Sequence, residues 1–308
     1  MPQIAQIHTD FCLRDPGLYE GNFVTFSTEQ LEQYRQRTFR LTDGLQLKSA
    51  ADAVQYVNER GFVYFWPIKD VPFPSLWTAV VGNRPVSDDH DHPGHVTWGW
   101  KDQMLDQRQW YYAKILRGKA TMIALDTIPY FYALSENYGD PEQDYLIQYE
   151  DGLLSREAKL IYETLLREGA QDTVNLRRLA GMTSKASNSV FNRVMTELQK
   201  DFKILPVGIA EAGAWRYSFI YDLLHRYYPE IPTQAREIKR AEARRHLAKL
   251  YFSSLGVASE AAFKKLFQWS NPDSERTLTA LVEAGELQLI AGTQKRLNQY
   301  FLPDLLDQ

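Results

Sequence analysis

Cysteine is nearly absent from this chain, with Cys12 the only one among its 308 residues. No internal disulfide can form, and no His or Cys stands near Cys12 at metal-ligand spacing, so we expect a reducing, cytoplasmic setting. No apolar run approaches the roughly 20 residues that a membrane span needs. The N-terminus lacks a basic segment followed by an apolar stretch, which argues against a secretory signal. No segment repeats with a period of roughly 20–50 residues, which excludes a solenoid.

An excess of positive charge, which nucleic-acid binding would favour, is also missing from the chain as a whole, whose net charge is −4. The charge is unevenly distributed along the chain, however. Residues 1–150 carry 13 Lys and Arg against 20 Asp and Glu, whereas residues 151–308 carry 22 against 19. An acidic front and a mildly basic rear fit a protein whose rear half touches phosphate, although chance composition can produce the same small excess. With 44% apolar and 24% charged residues, the composition is globular.

The rear half contains one order of elements twice. The first copy has an amphipathic helix capped by Ser155, a short helix over 173–180, a third helix over 184–200, and strands over 203–210 and 214–221. The second copy has helices over 235–254, from Ser259 to Phe267, and from Asn271 to about Gly285, with strands over 287–290 and 297–302. Helix, short helix, helix and hairpin is the order of a winged-helix domain. We predict a mainly α fold with small β-hairpins (α+β), with tandem winged-helix modules over 151–232 and 233–308.

The front half is less regular. We interpret residues 1–26 as an N-terminal arm and 27–150 as a helical, winged-helix-like domain with an aromatic-rich loop. Ser27 and Gln30 have the spacing of a capping box, and a second helix should run from Ser49 to Gly61. A strand can follow only as far as Trp66, because Pro67 comes next. We expect a long loop over 82–109, a helical segment from Trp110, and burial of IPYFYAL (128–134).

The third helix of the first rear copy carries the predicted DNA-binding face. Its wheel gathers apolar residues on one side and polar, acid-free residues on the other, as in helices that enter the major groove. That composition is also typical of an ordinary solvated face. The predicted DNA-binding residues are Lys185, Asn188, Ser189, Asn192, Arg193 and Thr196 on the helix, with Lys203 and Arg216 on the wing. In the second copy, only the wing segment 294–296 and the first helix are basic, so that module either touches DNA or mainly packs on its neighbours.

Residues 201–230, DFKILPVGIAEAGAWRYSFIYDLLHRYYPE, followed by a basic helix and ALVEAGELQLI (280–290), resemble the AlkZ/YcaQ-type bacterial crosslink-repair DNA glycosylases. The family's Tyr-Asp-Leu motif is matched by residues 221–223. A fainter match covers LRGKATMIALDTIPYFYAL (116–134). The resemblance implies three tandem winged helices arranged concavely around duplex DNA, with the helices at Ser27 and Ser49 in the first of them. It also implies excision of alkylated or crosslinked bases without a metal or nucleotide cofactor.

Two departures from that family pattern stand out. Family members carry a Gln-x-Gln or Gln-x-Asp motif where this chain reads GFVYFWPIKD (61–70), which has no glutamine. They also end in a β-barrel, whereas this sequence ends at LPDLLDQ, about where that barrel would start. The missing glutamine motif puts the family's catalytic apparatus in doubt for this chain. The missing β-barrel puts in doubt whether it wraps DNA as the family does. We therefore expect a shorter, diverged relative whose main partner is double-stranded, possibly damaged DNA.

A glycosylase would need a stacking surface for the displaced base and a carboxylate near the sugar. The segment 61–102 offers Asp70 and Asp102 as catalytic candidates, and Tyr64, Trp66, Trp98 and Trp100 as a base pocket. Aromatic residues at this density usually form core, and an Asp beside proline-rich turns usually lies on the surface. The function hypotheses are thus a DNA-binding protein linked to repair, a base-excising glycosylase, or modules that serve protein packing alone.

The segment DDHDHPGH (88–95) is the other polar concentration, and its Asp and His side chains are potential ligands of a divalent metal. Neighbouring side chains on one loop diverge, however, and no distant third ligand is evident. We therefore predict no metal site and interpret the segment as a solvated loop anchored by Trp98 and Trp100.

Overall fold

The computed structural model describes residues 27–89, 91–137, 139–213, 215–292 and 298–306. The predicted arm over 1–26, His90 and the wing segment 294–296 lie outside these ranges. The described helices are α1 (Thr28–Thr38), α2 (Ala50–Arg60), α3 (Leu76–Val81), α4 (Val96–Asp106), α5 (Ile128–Tyr132), α6 (Asp144–Glu150), α7 (Arg156–Glu168), α8 (Thr173–Leu179), α9 (Asn188–Lys200), α10 (Leu224–Tyr227), α11 (Glu230–Arg236), α12 (Arg240–Leu255), α13 (Glu260–Phe267) and α14 (Asn271–Glu283). The strands are β1 (Phe62–Tyr64), β2 (Tyr111–Lys114), β3 (Ala120–Ile123), β4 (Gln171–Asp172), β5 (Ile204–Ala210), β6 (Ser218–Leu223), β7 (Val257–Ser259), β8 (Gln288–Ile290) and β9 (Gln299–Phe301).

These elements form three units with the same order: helix, strand, helix, helix, strand, strand. Unit 1 runs from α2 to β3, unit 2 from α7 to β6, and unit 3 from α12 to β9. Each unit has a three-stranded antiparallel sheet in which the last strand lies in the middle. The winged-helix order predicted twice in the rear half is therefore present, and the front half contains it as well.

Seven of the fourteen described α-helices begin at a residue whose side chain caps them. Ser27 and Gln30 exchange both hydrogen bonds of a capping box, and Ser49 accepts from the backbone N–H of Asp52. The Ser155 hydroxyl likewise accepts from Ala158 at the start of α7. These caps satisfy backbone donors that a helix cannot pair internally, which is why local sequence sets the helix starts.

The prediction for residues 82–109 was wrong. A helix, α4, occupies 96–106, and the chain from Tyr111 is strand β2 rather than helix. The buried positions of α4 are Thr97, Lys101, Met104 and Leu105. Two of these four are polar, so the helical spacing is present but does not appear as an apolar period.

The core joins units that are far apart in sequence. One cluster combines strand residues of unit 1, such as Phe62 and Tyr111, with Tyr251, Phe263 and Leu278 of unit 3. Unit 2 has a separate cluster between α7 and α9. The predicted IPYFYAL segment is buried as expected in α5. The predicted boundary after residue 150 falls between α6 and α7, and the one after 232 falls inside α11.

Helix α1 fastens the front of the chain to unit 3. The Tyr34 hydroxyl donates to the carbonyl of Ser253 over 2.6 Å, and the Arg35 guanidinium donates to Leu255 and Val257 over 3.0 and 2.8 Å. The carbonyls of Ser253 and Leu255 are at the end of α12, where they lack partners within the helix, and Val257 begins β7. Among the described residues, none of the helices combines the length and the apolar character that crossing a membrane requires.

Candidate nucleic-acid interface

The third helix of unit 2, α9, has one buried and one open face. Phe191, Val194, Met195 and Leu198 are buried in the unit 2 core. The opposite face is polar, and of its predicted DNA-binding residues Thr196 is half-buried. Asn188, Ser189, Asn192 and Arg193 are exposed, as is Lys185 in the 3-10 turn directly before the helix. The structure therefore gathers the predicted helix residues on one surface.

Hydrogen bonds hold the N-terminal end of that face. Arg177 of α8 donates to the side-chain carbonyl of Asn188 and to the carbonyl of Met182, both over 2.6 Å. The same guanidinium lies 4.9 Å from the centre of the Phe191 ring. Arg193 faces Glu197 at 3.6 Å, and both side chains are largely exposed. An exposed pair of this kind contributes little, so Arg193 remains free to exchange its carboxylate for phosphate.

The C-terminal half of α9 runs along the wing of unit 1. The Lys114 backbone N–H donates to the Gln199 side chain over 3.1 Å, and the Lys114 ammonium lies 3.5 Å from the Thr196 hydroxyl. Burial, and then the neighbouring Lys119, lower the pKa of Lys114. The contact between units 1 and 2 thus brings further cations beside the α9 face. We call the combined set, Lys185, Arg193 and Lys200 with Lys114, Arg117 and Lys119, the basic strip.

The strip ends at a cleft where the three units meet. Its volume is about 430 Å³. Unit 1 contributes Arg117, unit 2 contributes Lys200, and unit 3 contributes Trp269. Phe131, Asn137, Asp201, Phe202, Phe267 and Gln268 are further lining residues. The cleft combines aromatic, amide and charged groups, which is the composition of many ligand sites.

Three of the seven described non-glycine residues with a left-handed backbone line the cleft. Arg117, Phe202 and Gln268 all adopt left-handed conformations, with φ of 54°, 54° and 57°. Residues other than glycine are unfavourable there and persist only where the surrounding structure holds them. Such residues cluster at functional sites, so their coincidence around one cleft supports a binding role.

The amide of Asn137 is fixed on the cleft wall. It donates to the backbone carbonyl of Asp201 and accepts from the Lys203 ammonium, both over 2.6 Å. Lys203 was predicted as an exposed wing residue, but it is only 4% exposed, and burial lowers its pKa to about 8. It lies at the base of the wing beneath Tyr162. Lys203 therefore orients Asn137 and is not available to phosphate.

Two acidic residues, Glu136 and Asp201, line the cleft, and Glu136 pairs with Arg240 over 3.1 Å. Asp201 is exposed as a residue, yet neighbouring atoms desolvate its carboxyl group and raise its pKa, while Lys203 and Lys200 oppose the rise. A carboxyl group in such a place can hold a proton or face a developing positive charge. Neither Asp70 nor Asp102, the predicted catalytic residues, lines this cleft.

The aromatic residues predicted as a base pocket lie elsewhere. Tyr64 is fully buried, and its ring packs edge-on against Phe73. Trp66 and Trp98 are brought together, with ring centres 5.5 Å apart, and Trp100 packs against the same core cluster. Tyr64 therefore belongs to the core shared by units 1 and 3, and the three tryptophans pack, half-buried, against the unit 1 core.

The two predicted catalytic carboxylates have other surroundings. Asp70 is exposed, and its backbone carbonyl accepts from Lys265 over 2.9 Å. Asp102 pairs with the fully buried Lys101 and accepts from the Tyr217 hydroxyl over 2.9 Å. The Lys101 ammonium also lies 4.5 Å from the Phe219 ring centre, and burial lowers its pKa. This cluster joins α4 to the unit 2 wing.

The tip of that wing is exposed. Trp215 is 91% exposed, and the neighbouring predicted contact Arg216 pairs with Glu211. In the polar loop, His92 stacks on Trp77 with ring centres 5.1 Å apart. Within the described residues, no group of His, Cys, Asp or Glu is placed to hold a metal ion.

Three units that share one order of elements surround a single cleft, in a mainly α fold with small antiparallel sheets. The chain belongs to the AlkZ-related family, whose model matches residues 47–268, and the predicted resemblance is confirmed. The structure is similar to that of Streptomyces sahachiroi DNA glycosylase AlkZ, with a TM-score of 0.57 and 14% sequence identity over 92% of this chain and 71% of that one. At that identity the likeness shows the fold. A search of curated proteins finds no match.

Sequence reasoning missed the cleft. Its lining residues come from segments near 117, 137, 201 and 268, and each segment alone is unremarkable as sequence. One local signal was present directly after α13. There Gln268, and not the usual glycine, takes the left-handed position that ends the helix.

Proposed function

We propose that this protein binds double-stranded DNA along the basic strip and acts in DNA repair. The observation that carries the proposal is the open, acid-poor face of α9 continuing into the cations of the unit 1 wing. Basic side chains on one surface neutralise phosphates and release counterions, which gives affinity without sequence specificity. Asn188 and Asn192 can add contacts to base edges, since Asn pairs well with adenine in the major groove.

The other two third helices support α9 as the DNA-facing one. Helix α4 of unit 1 packs against the unit 2 wing through Lys101 and Tyr217. Helix α14 of unit 3 carries three acids, Asp273, Glu275 and Glu283, against the single cation Arg276. Asp273 also pairs with Arg244 of α12 over 3.0 Å. Only α9, among the described third helices, keeps an acid-poor exposed face.

The test is duplex binding by fluorescence anisotropy across a salt series. The variant K185A/R193A removes two cations from the strip, and R156A/R167A removes two exposed cations from α7, which packs on the buried side of α9. We expect wild-type affinity to fall steeply with salt. Each lost phosphate contact should lower the slope of log K against log salt by about 0.9, so K185A/R193A should bind several-fold more weakly at low salt and with a smaller slope.

The control R156A/R167A should keep wild-type affinity and slope, because its charges lie away from the strip. Equal losses in both variants would mean that net charge alone governs binding and would contradict the assignment to α9. Absence of salt-dependent binding in the wild type would overturn the proposal and favour units that serve protein packing.

A second candidate function is base excision by a DNA glycosylase. It is supported by membership of the AlkZ-related family and by a carboxylate, Asp201, in the cleft. A glycosylase stabilises a sugar that develops positive charge as the base leaves, which a nearby carboxylate can do. The roles first predicted for Asp70 and Asp102 find no comparable support, since neither lines the cleft.

Single-turnover incubation with duplex containing N7-alkylated guanine, or an interstrand crosslink, tests this candidate by the abasic sites formed. Wild type in excess should produce them, and D201N should not. If wild type binds duplex but forms no abasic site, the enzymatic candidate fails and the DNA-binding proposal stands.

A further inference from the structure

We infer that the cleft at the junction of the three units receives a single unpaired nucleobase of bound DNA, which stacks on Trp269. This inference rests on the proposed DNA binding along the basic strip, because the strip leads to the cleft through Lys200. The ligand of the cleft is then one flat heterocycle on a deoxyribose, with a backbone phosphate on either side of that sugar.

The size of the cleft suits such a ligand. Its volume of about 430 Å³ falls within the roughly 300–1,000 Å³ of pockets that hold small molecules. One nucleoside fits in that space, whereas a double helix does not. A base can therefore enter only after leaving the stack, at a cost that is lowest where it has no partner to pair with.

Trp269 is built as a stacking platform. Its ring lies on that of Phe267, with centres 4.3 Å apart and planes 21° from parallel, and meets Phe263 edge-on at 5.5 Å. Phe267 and Phe263 thus fix the position of the indole, which lines the cleft and stays half-exposed. The left-handed Gln268 turns the chain at the end of α13 and places the ring there. A rigid aromatic face accepts any nucleobase, since every base has a π-surface.

The polar groups around the platform match the edges and the backbone of a nucleotide. Asn137 is held by Lys203 and Asp201, so its orientation is set before a ligand arrives, and Gln268 offers a second, exposed amide. The cations Arg117 of unit 1 and Lys200 of unit 2 line the cleft together with the acids Glu136 and Asp201. The Asn137 amide nitrogen already donates to Asp201 and Ser135, so a base edge would pair with the remaining lone pair of its oxygen or with the Gln268 amide. The cations pair with the flanking phosphates.

The experiment compares two duplexes of one sequence. The first has 2-aminopurine opposite an abasic-site analogue, which leaves that base unpaired, and the second has it opposite thymine. We expect wild type to bind the first more tightly and to alter its fluorescence. Because base stacking on an aromatic side chain is worth roughly a fivefold to hundredfold change in affinity, W269A should lose most of this preference. W269F, which keeps a ring, should retain most of it.

Paired-duplex affinity serves as the internal reference, because Trp269 lies off the strip. Loss of preference in W269A with unchanged paired-duplex binding supports the inference. Equal binding of both duplexes by wild type overturns it and leaves the DNA-binding proposal intact, whereas failure to bind either duplex overturns both.

A second variant covers the case in which W269A loses paired-duplex binding through misfolding. Gln268→Glu changes an exposed side chain and brings a negative charge towards the entering phosphate. It should lower affinity for the unpaired-base duplex several-fold more than for the paired one. An unchanged ratio in Q268E would contradict a base in this cleft.

Discussion

Replacing Gly94 by alanine tests how the polar loop is anchored to unit 1. A Cβ at Gly94 would lie 2.6 Å from two ring atoms of Trp77 and 2.9 Å from a third. Favourable contact between carbons is at about 3.5–4.0 Å, so the ring or the loop must move by about an ångström. Trp77 is fully buried, donates to the carbonyl of Arg84 over 3.0 Å and stacks with His92. The ring therefore has little freedom to yield.

Overpacking of this kind costs about 1–3 kcal/mol of unfolding free energy. With an unfolding entropy of about 2.1 cal/mol/K per residue, a chain of this length that unfolds cooperatively should lose about 2–5 °C in melting temperature. Calorimetry and urea denaturation of G94A measure both quantities.

The matched control is Gly99→Ala, five positions along the chain and inside α4. A Cβ at Gly99 has no atom within 4 Å, and Ala is favoured over Gly in a helix by about 0.5–1 kcal/mol. G99A should therefore be as stable as wild type or slightly more so. A G94A protein as stable as G99A would refute the argument that Trp77 excludes a side chain at position 94.

Two further predictions concern buried cations. Burial lowers the pKa of Lys203 to about 8 from 10.5, so the native state releases a proton that the unfolded chain keeps. The unfolding free energy of wild type should rise relative to that of K203M by about 2 kcal/mol between pH 7.5 and 9.5. Urea denaturation of both proteins at the two pH values measures this difference. The same difference at both pH values would contradict the prediction. Arg35 donates to Leu255 and Val257, so the unfolding free energy of R35A should be about 1.5–3 kcal/mol lower than that of wild type. The control R37A, an exposed change on the same helix, should lower it by less than about 0.5 kcal/mol. Similar losses in both variants would argue against the α1 anchor.

The polar face of α9 was predictable from sequence because helical periodicity depends on neighbours three and four residues apart. The burial of Lys203 could not be predicted from sequence, because it depends on α5, α6 and α7 packing over the base of the wing. Tyr64 and Trp66 were assigned to a pocket on composition alone, and composition does not distinguish an aromatic core from an aromatic site.

The sequence by itself determined the helix starts at Ser27, Ser49 and Ser155, and the unit order of the rear half. These features follow from caps and spacings within a few residues of one another. Tertiary structure alone decided that units 1 and 3 share a core, that Lys101 and Lys203 are buried, and that a cleft opens among the three units. Each of these depends on contacts between segments tens to hundreds of residues apart, and local patterns carry no information about which distant surfaces will meet.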